Sequence, residues 1–573
     1  MRKKIMSVFL VGILCMGTIV GCGSAEERST SDQATGNSMN SGANEEADYS
    51  EHITISAWVH TDDNEDGVLA GFNENPVITF LSDKFNVEFE WQLPPTGSES
   101  EQMNLMIGSG DYTDVFDTTF SQQSCQELFE DGVIQDLTPY VEKYMPNYMA
   151  MIQENDTMRK SAYTDDGRII YIPNLKNEPE LTWGGLMYNR QILEDMTGGN
   201  VMFPSGKEEP TTVEDWEYML EIMKRYFESS GITDYACLIL PASGFFDTGD
   251  ILNGFGTTGT YYIDEKDKVQ YGILTEEFYN YLVKMKEWYA KGYIYQDFAS
   301  RSSDPFYFPN PALTYGGAAG IFFGLSEQLG DALSVPENDL IIDMRAVAAP
   351  VDTDNNAVTM PANGLVNTNT AVDVYSGGWV VSSACKEDVL IRWLEICDYL
   401  FGEEGSMVKS YGLTKEQAGE NAVYAKYNMQ EGAYWFDDNG DFVYNPSSDP
   451  YSGEAIVKEN QLRIARLPGL NIETYRLEKA NETKKEADKI WTSDGYSSCV
   501  PVGVVLNVEE NKKYAPLSTA CTDYIVSMTP KFIMNTEELT KESFEAFEQQ
   551  VRNLGMDTCL ELWQTAYDRY LEK

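Results

Sequence analysis

Histidine is almost missing from this chain: two occur in 573 residues, His52 and His60. A Ser-His-Asp hydrolase or a zinc hydrolase needs imidazole as base or ligand, so neither chemistry has much to draw on. Positive charge is scarce too, with 41 Lys and Arg against 92 Asp and Glu and a net charge of −51. Phosphate backbones are held by Lys and Arg clusters, which argues against nucleic acid as a partner. The same excess of carboxylates keeps the chain soluble, repels anionic lipid and disfavours a polyanionic ligand unless a local pocket overrides it. No Gly-rich loop followed by Lys is present to cradle a phosphate. Nine cysteines occur. Beyond Cys15 and Cys22 the remaining seven are Cys125, Cys237, Cys385, Cys397, Cys499, Cys521 and Cys559. An odd number, wide spacings and no CxxC pair argue against a disulfide framework or a zinc site, although one bridge is compatible with the count. Mostly free, buried thiols in an anaerobic or weakly oxidising setting are expected. Long apolar runs are absent after residue 20, and none approaches the roughly 20 residues of a bilayer span.

What is present begins at the N-terminus. Arg2, Lys3 and Lys4 precede an apolar run over residues 5–20, which ends in Ile19-Val20-Gly21-Cys22. A basic start, a short apolar stretch and a small residue before a cleavage point describe a secretory signal peptide, here residues 1–21. Cys22 directly after Gly21 resembles the lipobox of bacterial lipoproteins. That resemblance implies cleavage before Cys22 and lipid on its sulfur; an ordinary signal peptide or an uncleaved anchor is the alternative. Each buried acyl CH₂ contributes about 0.8 kcal/mol, so several chains, palmitate among them, would hold the protein on the extracellular face of the cell membrane. Residues 23–50 are rich in Ser, Gly, Asn and Glu, with no aromatic before Tyr49. Too little apolar surface is available there to offset chain entropy, so residues 22–50 are expected to form a lipidated, disordered linker.

The roughly 520 residues that follow exceed one hydrophobic core and imply at least two lobes. Residues 52–59 alternate, with Ile53, Ile55 and Ala57 on one face, as in a strand. Residues 77–85 carry a helical pattern, and Val87, Phe89 and Trp91 alternate as a second strand. Residues 101–107 read as a helix, and 114–116 as a short buried strand. This succession starts an α/β sheet with helices on its faces, whose ligands sit at the carboxyl ends of the strands. Further on, Thr212 is a plausible N-cap with Asp215 three residues along. Helices are predicted over 276–291, 386–400, 540–556 and 557–571, and strands over 183–190, 318–323 and 377–382. No repeat of 20–50 residues is visible, which excludes a solenoid.

The order of motifs resembles the extracellular solute-binding proteins of carbohydrate ABC importers, in the large branch that includes aldouronate-type and alginate-type lipoproteins. The residues that carry the likeness are 103–115 (MNLMIGSGDYTDV), 132–140 (GVIQDLTPY), Met187-Tyr188-Asn189-Arg190, 210–216 (PTTVEDW), the strand–helix unit 377–411, and 564–570 (QTAYDRY). The resemblance implies a type II periplasmic-binding-protein-like α/β fold of two hinged lobes with a ligand cleft between them. It also implies a monomer that captures a carbohydrate, an oligosaccharide by expectation, and delivers it to ABC transporter permease subunits. It places residues 51–180 in lobe 1, 181–349 in lobe 2, 350–410 in a return to lobe 1, and 411–573 mainly in lobe 2 with closing helices. Chain crossings are expected near residues 178–185 and 349–351.

A sugar offers CH faces to aromatic rings and hydroxyls to carboxylates, amides and guanidinium groups. Stacking candidates are Trp58 at a strand end, Trp183 at the proposed crossing, Trp379 and Trp435; for each, a core or surface role competes with ligand contact. Asp62, Asp114, Asp247 and Arg463 are the polar candidates. Phe245 belongs to the loop Ser243-Gly244-Phe245-Phe246-Asp247, which offers either a close backbone approach or a plain turn. Trp216, Trp288, Trp393 and Trp563 lie on helical faces and read as core. No catalytic residue, cofactor or metal is expected. Alginate-type relatives hold calcium after the helix matching residues 216–226, but residues 227–235 carry too few carboxylates for six to eight oxygen ligands. Residues 62–67 (DDNEDG) start like an EF-hand loop, yet its twelfth position is Asn73, and an acidic turn competes. Residues 437–441 (DDNGD) read as a hairpin turn. Two rival functions are a surface glycan-binding or sensor lipoprotein and a glycoside hydrolase built on paired carboxylates.

Overall fold

Alternating apolar strands and amphipathic helices resolve into two separate β-sheets in the computed structural model, which describes residues 49–60, 71–178, 181–245, 251–300, 311–335, 340–355, 357, 378–450, 455–457, 461–492, 500, 501 and 503–573. Cys22, linker residues 23–48, Asp62 with the 62–67 segment, Asp247 and Cys499 lie outside the described residues. In chain order the strands are β1 (Ile53–Trp58), β2 (Val87–Gln92), β3 (Val115–Asp117), β4 (Ile172–Lys176), β5 (Gly184–Asn189), β6 (Ala236–Leu238), β7 (Tyr261–Ile263), β8 (Val269–Tyr271), β9 (Ala319–Leu325), β10 (Met344–Ala346), β11 (Gly378–Val381), β12 (Tyr434–Phe436), β13 (Phe442–Tyr444) and β14 (Gly469–Asn471). One sheet has the order β14-β4-β11-β3-β1-β2 and the other β10-β5-β9-β6. β7 pairs with β8, and β12 with β13, as two-stranded hairpins.

The inner strands β3, β4, β5 and β11 are buried on both faces, as strands covered by helices on two sides are. Along β11, Trp379 and Val381 enter one core cluster of the first sheet while Val380 enters the cluster on the opposite face. Along β5, Leu186 and Tyr188 face one core of the second sheet and Met187 faces the other. The protein therefore has two lobes, each a sheet between two apolar layers. Local side chains fix the helix starts, at Thr212 as the sequence predicts and also at Asn75. Asn75 caps the helix Pro76–Phe85 by accepting from the N–H groups of Val77 and Ile78. Thr212 and Asp215 form a reciprocal capping box at the start of the helix Val213–Ser229.

Each sheet contains one strand that runs against its neighbours, β11 in the first and β5 in the second. Each is also the first strand of its sheet after the chain crosses from the other lobe. Residues 177–183 connect the carboxyl end of β4 to the start of β5, and a segment of that length spans no more than about 25 Å. The start of β5 lies beside the carboxyl end of β9, with Gly184 opposite Leu325. The carboxyl edges of both sheets are thus held close to the same crossover. Gly185 is required there by close packing, because a Cβ at that position would come within 2.4 Å of the Trp491 ring.

Two boundaries differ from the sequence reading. Residues 350–355 still belong to the second lobe: Val351 accepts from Val213 N–H, its own N–H donates to Thr211, and Asp352 N–H donates to Gly254. Residues 411–473 were expected mainly in lobe 2, but Tyr411, Leu413, Tyr424, Tyr434, Phe442, Leu462 and Leu467 join the first lobe's core and β14 completes its sheet. A third crossing follows β14, because Ala487 and Trp491 pack in the second lobe. It is tied to the first crossing by hydrogen bonds from Asn177 N–H to the Asn471 carbonyl (3.1 Å), Glu473 N–H to Asn177 Oδ1 (2.7 Å) and Asn177 Nδ2 to Thr474 Oγ1 (2.8 Å). Away from these crossings, Asp165 of the first lobe pairs with Arg569 of the C-terminal helix Met556–Glu572 and, at 2.8 Å, with Lys573, the residue after it.

In the first lobe Asp398 ends one helix and receives the start of another. Its carboxylate accepts from Asn147 N–H (2.8 Å), Tyr148 N–H (3.0 Å) and Asn147 Nδ2 (2.9 Å). Burial nevertheless outweighs those donors and pushes its pKa from 3.8 up to about 6. The folded state then holds a proton that the unfolded state has lost, so this group's contribution to stability is full below the unfolded pKa and falls as pH rises through the folded one. The stability of the wild type relative to Asp398→Asn should fall by about 3 kcal/mol between about pH 4 and about pH 7. Denaturant melts across that range check this, and a pH-independent difference would contradict it.

Candidate functional site

Ligands of open α/β sheets bind beyond the carboxyl ends of the strands, and here both sheets direct those ends toward the crossovers. In the first lobe that edge begins with His60, two residues past β1, and Asp117, the last residue of β3. His60 Nδ1 lies 3.0 Å from Asp117 Oδ2. The approach does not make a hydrogen bond, and both atoms are buried without a hydrogen-bond partner. Asp117 Oδ1 accepts from Thr119 N–H (2.9 Å) and Thr119 Oγ1 (2.6 Å). The ring of Phe120 meets the imidazole edge to face at 4.6 Å. Beside them, the Thr118 hydroxyl and N–H both donate to the Gly378 carbonyl, joining the end of β3 to the start of β11. Gly378 is another close approach, where a Cβ would fall 2.5 Å from Tyr171. Farther along the edge come Asn174 of β4, which donates to the Arg466 carbonyl at 3.1 Å, and Asn471 of β14. The oxygens Asn174 Oδ1 and Asn471 Oδ1 are buried without a hydrogen-bond partner.

The sequence candidates separate on this frame. Trp58 is 3 % exposed and Trp379 fully buried, so neither offers a ring face to a ligand. The alternation of strands buried on both faces takes each indole into a core: Trp58 packs with Met103, Met106 and Phe116, and Trp379 lies 5.2 Å from Trp393 while its indole N–H donates to the Arg466 carbonyl. Phe245 is likewise core, edge to face with Phe278, and its neighbour Gly244 forms the plain turn. Asp114 precedes β3 and so sits at the amino end of that strand, away from the carboxyl edge. It is a sheet residue, accepting from Ser56 N–H (2.8 Å) and Ser56 Oγ (2.6 Å).

Three candidates keep accessible surface. Trp183, half-buried in the first crossing, contacts Phe323 edge to face at 5.8 Å. Trp435 is half-buried in β12 opposite Val443. Arg463 is half-buried near the start of the helix Pro76–Phe85, where its carbonyl accepts from Asn75 Nδ2 at 3.1 Å; its Nε is buried without a partner. That helix follows β1, so its N-terminus lies toward the carboxyl edge. The pair His60 and Asp117 was missed as a site by the sequence reading. The available signal was a polar residue at or just past the end of each of two apolar strands, in Trp58-Val59-His60 and Val115-Phe116-Asp117.

Other centres are less developed. Among the described residues no group of three or more His, Cys, Asp and Glu is placed to hold a metal ion. Asp437 accepts from Asn439 N–H (2.8 Å) and Asp441 N–H (3.0 Å), closing the β12–β13 turn on itself. The six described cysteines are all unpaired, and five of them are buried. His52 bonds Asn86 and His60 faces Asp117, and among the described residues neither imidazole is held by a serine or cysteine nucleophile. A groove of about 650 Å³ on the outside of the first lobe runs between the helix Pro76–Phe85 and residues 413–426, lined by Glu74, Asp83, Phe80, Glu420 and Lys426.

No protein-family model and no curated protein matches the sequence. The fold does have solved counterparts. It is similar to an HMO-binding, ABC-transporter-associated solute-binding protein from Bifidobacterium longum infantis, with a TM-score of 0.66 and 16 % identity over 91 % of this chain and 100 % of that one. It is similar to the ABC-transporter substrate-binding protein FusA of S. pneumoniae in complex with kestose, with a TM-score of 0.63 and 16 % identity over 91 % of this chain and 99 % of that one. The alginate-binding protein AlgQ2, solved without calcium ion, gives a TM-score of 0.62 and 15 % identity over 91 % and 98 %. The chain therefore has the two-lobed α/β fold of periplasmic solute-binding proteins.

Proposed function

We propose that this protein is the substrate-binding component of an ABC importer that captures an oligosaccharide outside the cell and delivers it to the permease. One observation carries the reading: nearly the entire body of the chain adopts the fold of proteins named as HMO-binding, alginate-binding or in complex with kestose, and those proteins are covered almost end to end. The site supports it chemically. The carboxyl edges of two sheets meet near shared crossovers, with amide and imidazole groups suited to hydroxyls and with Trp183, Trp435 and Arg463 retaining accessible surface.

Binding would work by closure. Open and closed forms of a hinged pair differ by only a few kcal/mol, and a saccharide touching both lobes favours the closed one. Affinity near micromolar, about −8 kcal/mol, suits capture followed by release. The permease then recognises the closed shape, and no bond in the sugar changes. At the other end, β1 begins on the amino edge of the first sheet, away from the site. Tyr49 is held there by its carbonyl accepting from Asn86 Nδ2 (2.9 Å) and by its ring over Arg392 (4.6 Å). A lipid on Cys22 would thus anchor a monomer by a linker that leaves the ligand edge free.

Thermal melting of residues 49–573 with maltotetraose, kestose, mannopentaose and lacto-N-tetraose tests the carbohydrate assignment. A bound sugar at 100 times its dissociation constant should stabilise the protein by about 2.7 kcal/mol and be recovered intact. No shift with any of the four, or recovery of shortened sugar, would contradict the reading. The anchor is tested separately: Cys22→Ala should move the protein from the membrane fraction to the soluble one, and unchanged membrane retention would contradict lipidation.

A further inference from the structure

We infer that Asp165, gripped by Arg569 and Lys573, is a second pivot between the lobes, so that closing is a rotation about the line from this contact to the crossings; the inference rests on the closure reading above. Asp165 lies in the turn at residues 164–168, which follows Met158 and Ala162 of the first lobe's core. Arg569 and Lys573 lie on and just after the helix Met556–Glu572, whose Trp563, Tyr567 and Tyr570 enter the second lobe's core. The carboxylate uses both oxygens: Oδ2 pairs with Arg569 Nε, and Oδ1 with Lys573 Nζ at 2.8 Å. Lys573 Nζ also donates to the Tyr163 carbonyl (3.2 Å), and both Arg159 Nη groups donate to the Lys573 backbone oxygen, each at 3.2 Å. Lys160 lies over the Tyr570 ring at 4.7 Å. On the far side, Arg569 is oriented by a bidentate fork onto Glu510, 2.8 Å for each bond, and by donation to the Val505 carbonyl at 3.0 Å.

The place of this contact decides what it does. Gln135 N–H donates to the Val381 carbonyl and Leu137 N–H to the Ile169 carbonyl. Because β11 runs against its neighbours, Val381 marks the amino edge of the first sheet, and the turn holding Asp165 adjoins that edge. The crossings lie at the carboxyl edge. Two attachments at opposite edges of one sheet suppress twisting and sliding of the lobes and leave rotation about the line that joins them. Long charged side chains make the second attachment, and their torsions let it turn while the pairs hold. Asp165, Arg569, Lys573 and Glu510 are only 11–30 % exposed, so salt screens them less than a pair on the open surface. The grip also opposes the self-repulsion of a chain with a net charge of −51.

Asp165→Ala removes the grip but leaves Arg569 on Glu510, so the helix Met556–Glu572 keeps its partner within the second lobe. By small-angle X-ray scattering, ligand-free Asp165→Ala should have a radius of gyration larger than wild type by about 1 Å, on the roughly 24 Å of a compact chain of this length. Lys573→Ala should shift it in the same direction. Asp166→Ala, whose carboxylate pairs with Arg168 inside the same turn, should match wild type. In wild-type protein an equimolar mixture of the four saccharides named above should leave amide hydrogen exchange over residues 156–168 and 556–573 unchanged, because the pivot persists through closure. A radius of gyration in Asp165→Ala equal to wild type's, a rise shared by Asp166→Ala, or faster exchange of those residues once sugar binds overturns the pivot. If wild type binds none of the mixture, the carbohydrate reading falls and the ligand-free scattering still decides the pivot.

Discussion

Burial of the inner strands of both sheets on both faces is the constraint from which the rest of this architecture follows. A sheet covered on two sides needs an apolar layer above and below, and one such sandwich cannot enclose a chain of this length. The residues divide into two sandwiches, and the chain must pass between them. Because the chain leaves the first sheet at a carboxyl end and enters the second beside one, the entering strand β5 runs against its neighbours. The same reversal recurs at β11 on the return. The reversed strands are thus the structural signature of crossings made at one edge, and they bring the two carboxyl edges to the same place.

Much of this was legible because local chemistry and tertiary demand agree. The alternation of Ile53, Ile55 and Ala57 gave β1 within a residue at each end, and the Thr212 and Asp215 pair marked its helix start correctly. The predicted terminal helices occupy Lys541–Asn553 and Met556–Glu572. Lobe membership beyond residue 410 was not legible. β14 has three residues, and only its pairing with β4 shows where it belongs. That partner is almost 300 residues distant in sequence, a relation no local period records.

The site was less legible than the fold for a related reason. A tryptophan near a strand end looks the same in sequence whether its ring enters a core or a cleft. Trp379 lies in an apolar strand buried on both faces and takes the core side, with its indole N–H satisfied by a backbone carbonyl. Trp183 and Trp435, in a crossing and in a hairpin, keep accessible surface. The surroundings of a polar residue depend in the same way on its place along a strand. Asp114 illustrates the difference of a few positions: before β3 it serves the sheet, whereas Asp117 at the other end of the same strand faces His60.

A protein with two independently cored lobes linked at one edge should change shape when something fills the gap, and small-angle X-ray scattering measures that change most directly. Scattering from residues 49–573 with and without the four-saccharide mixture should show a smaller radius of gyration with sugar, at unchanged molecular mass. A radius of gyration that stays the same when sugar is bound would contradict closure of hinged lobes around a ligand.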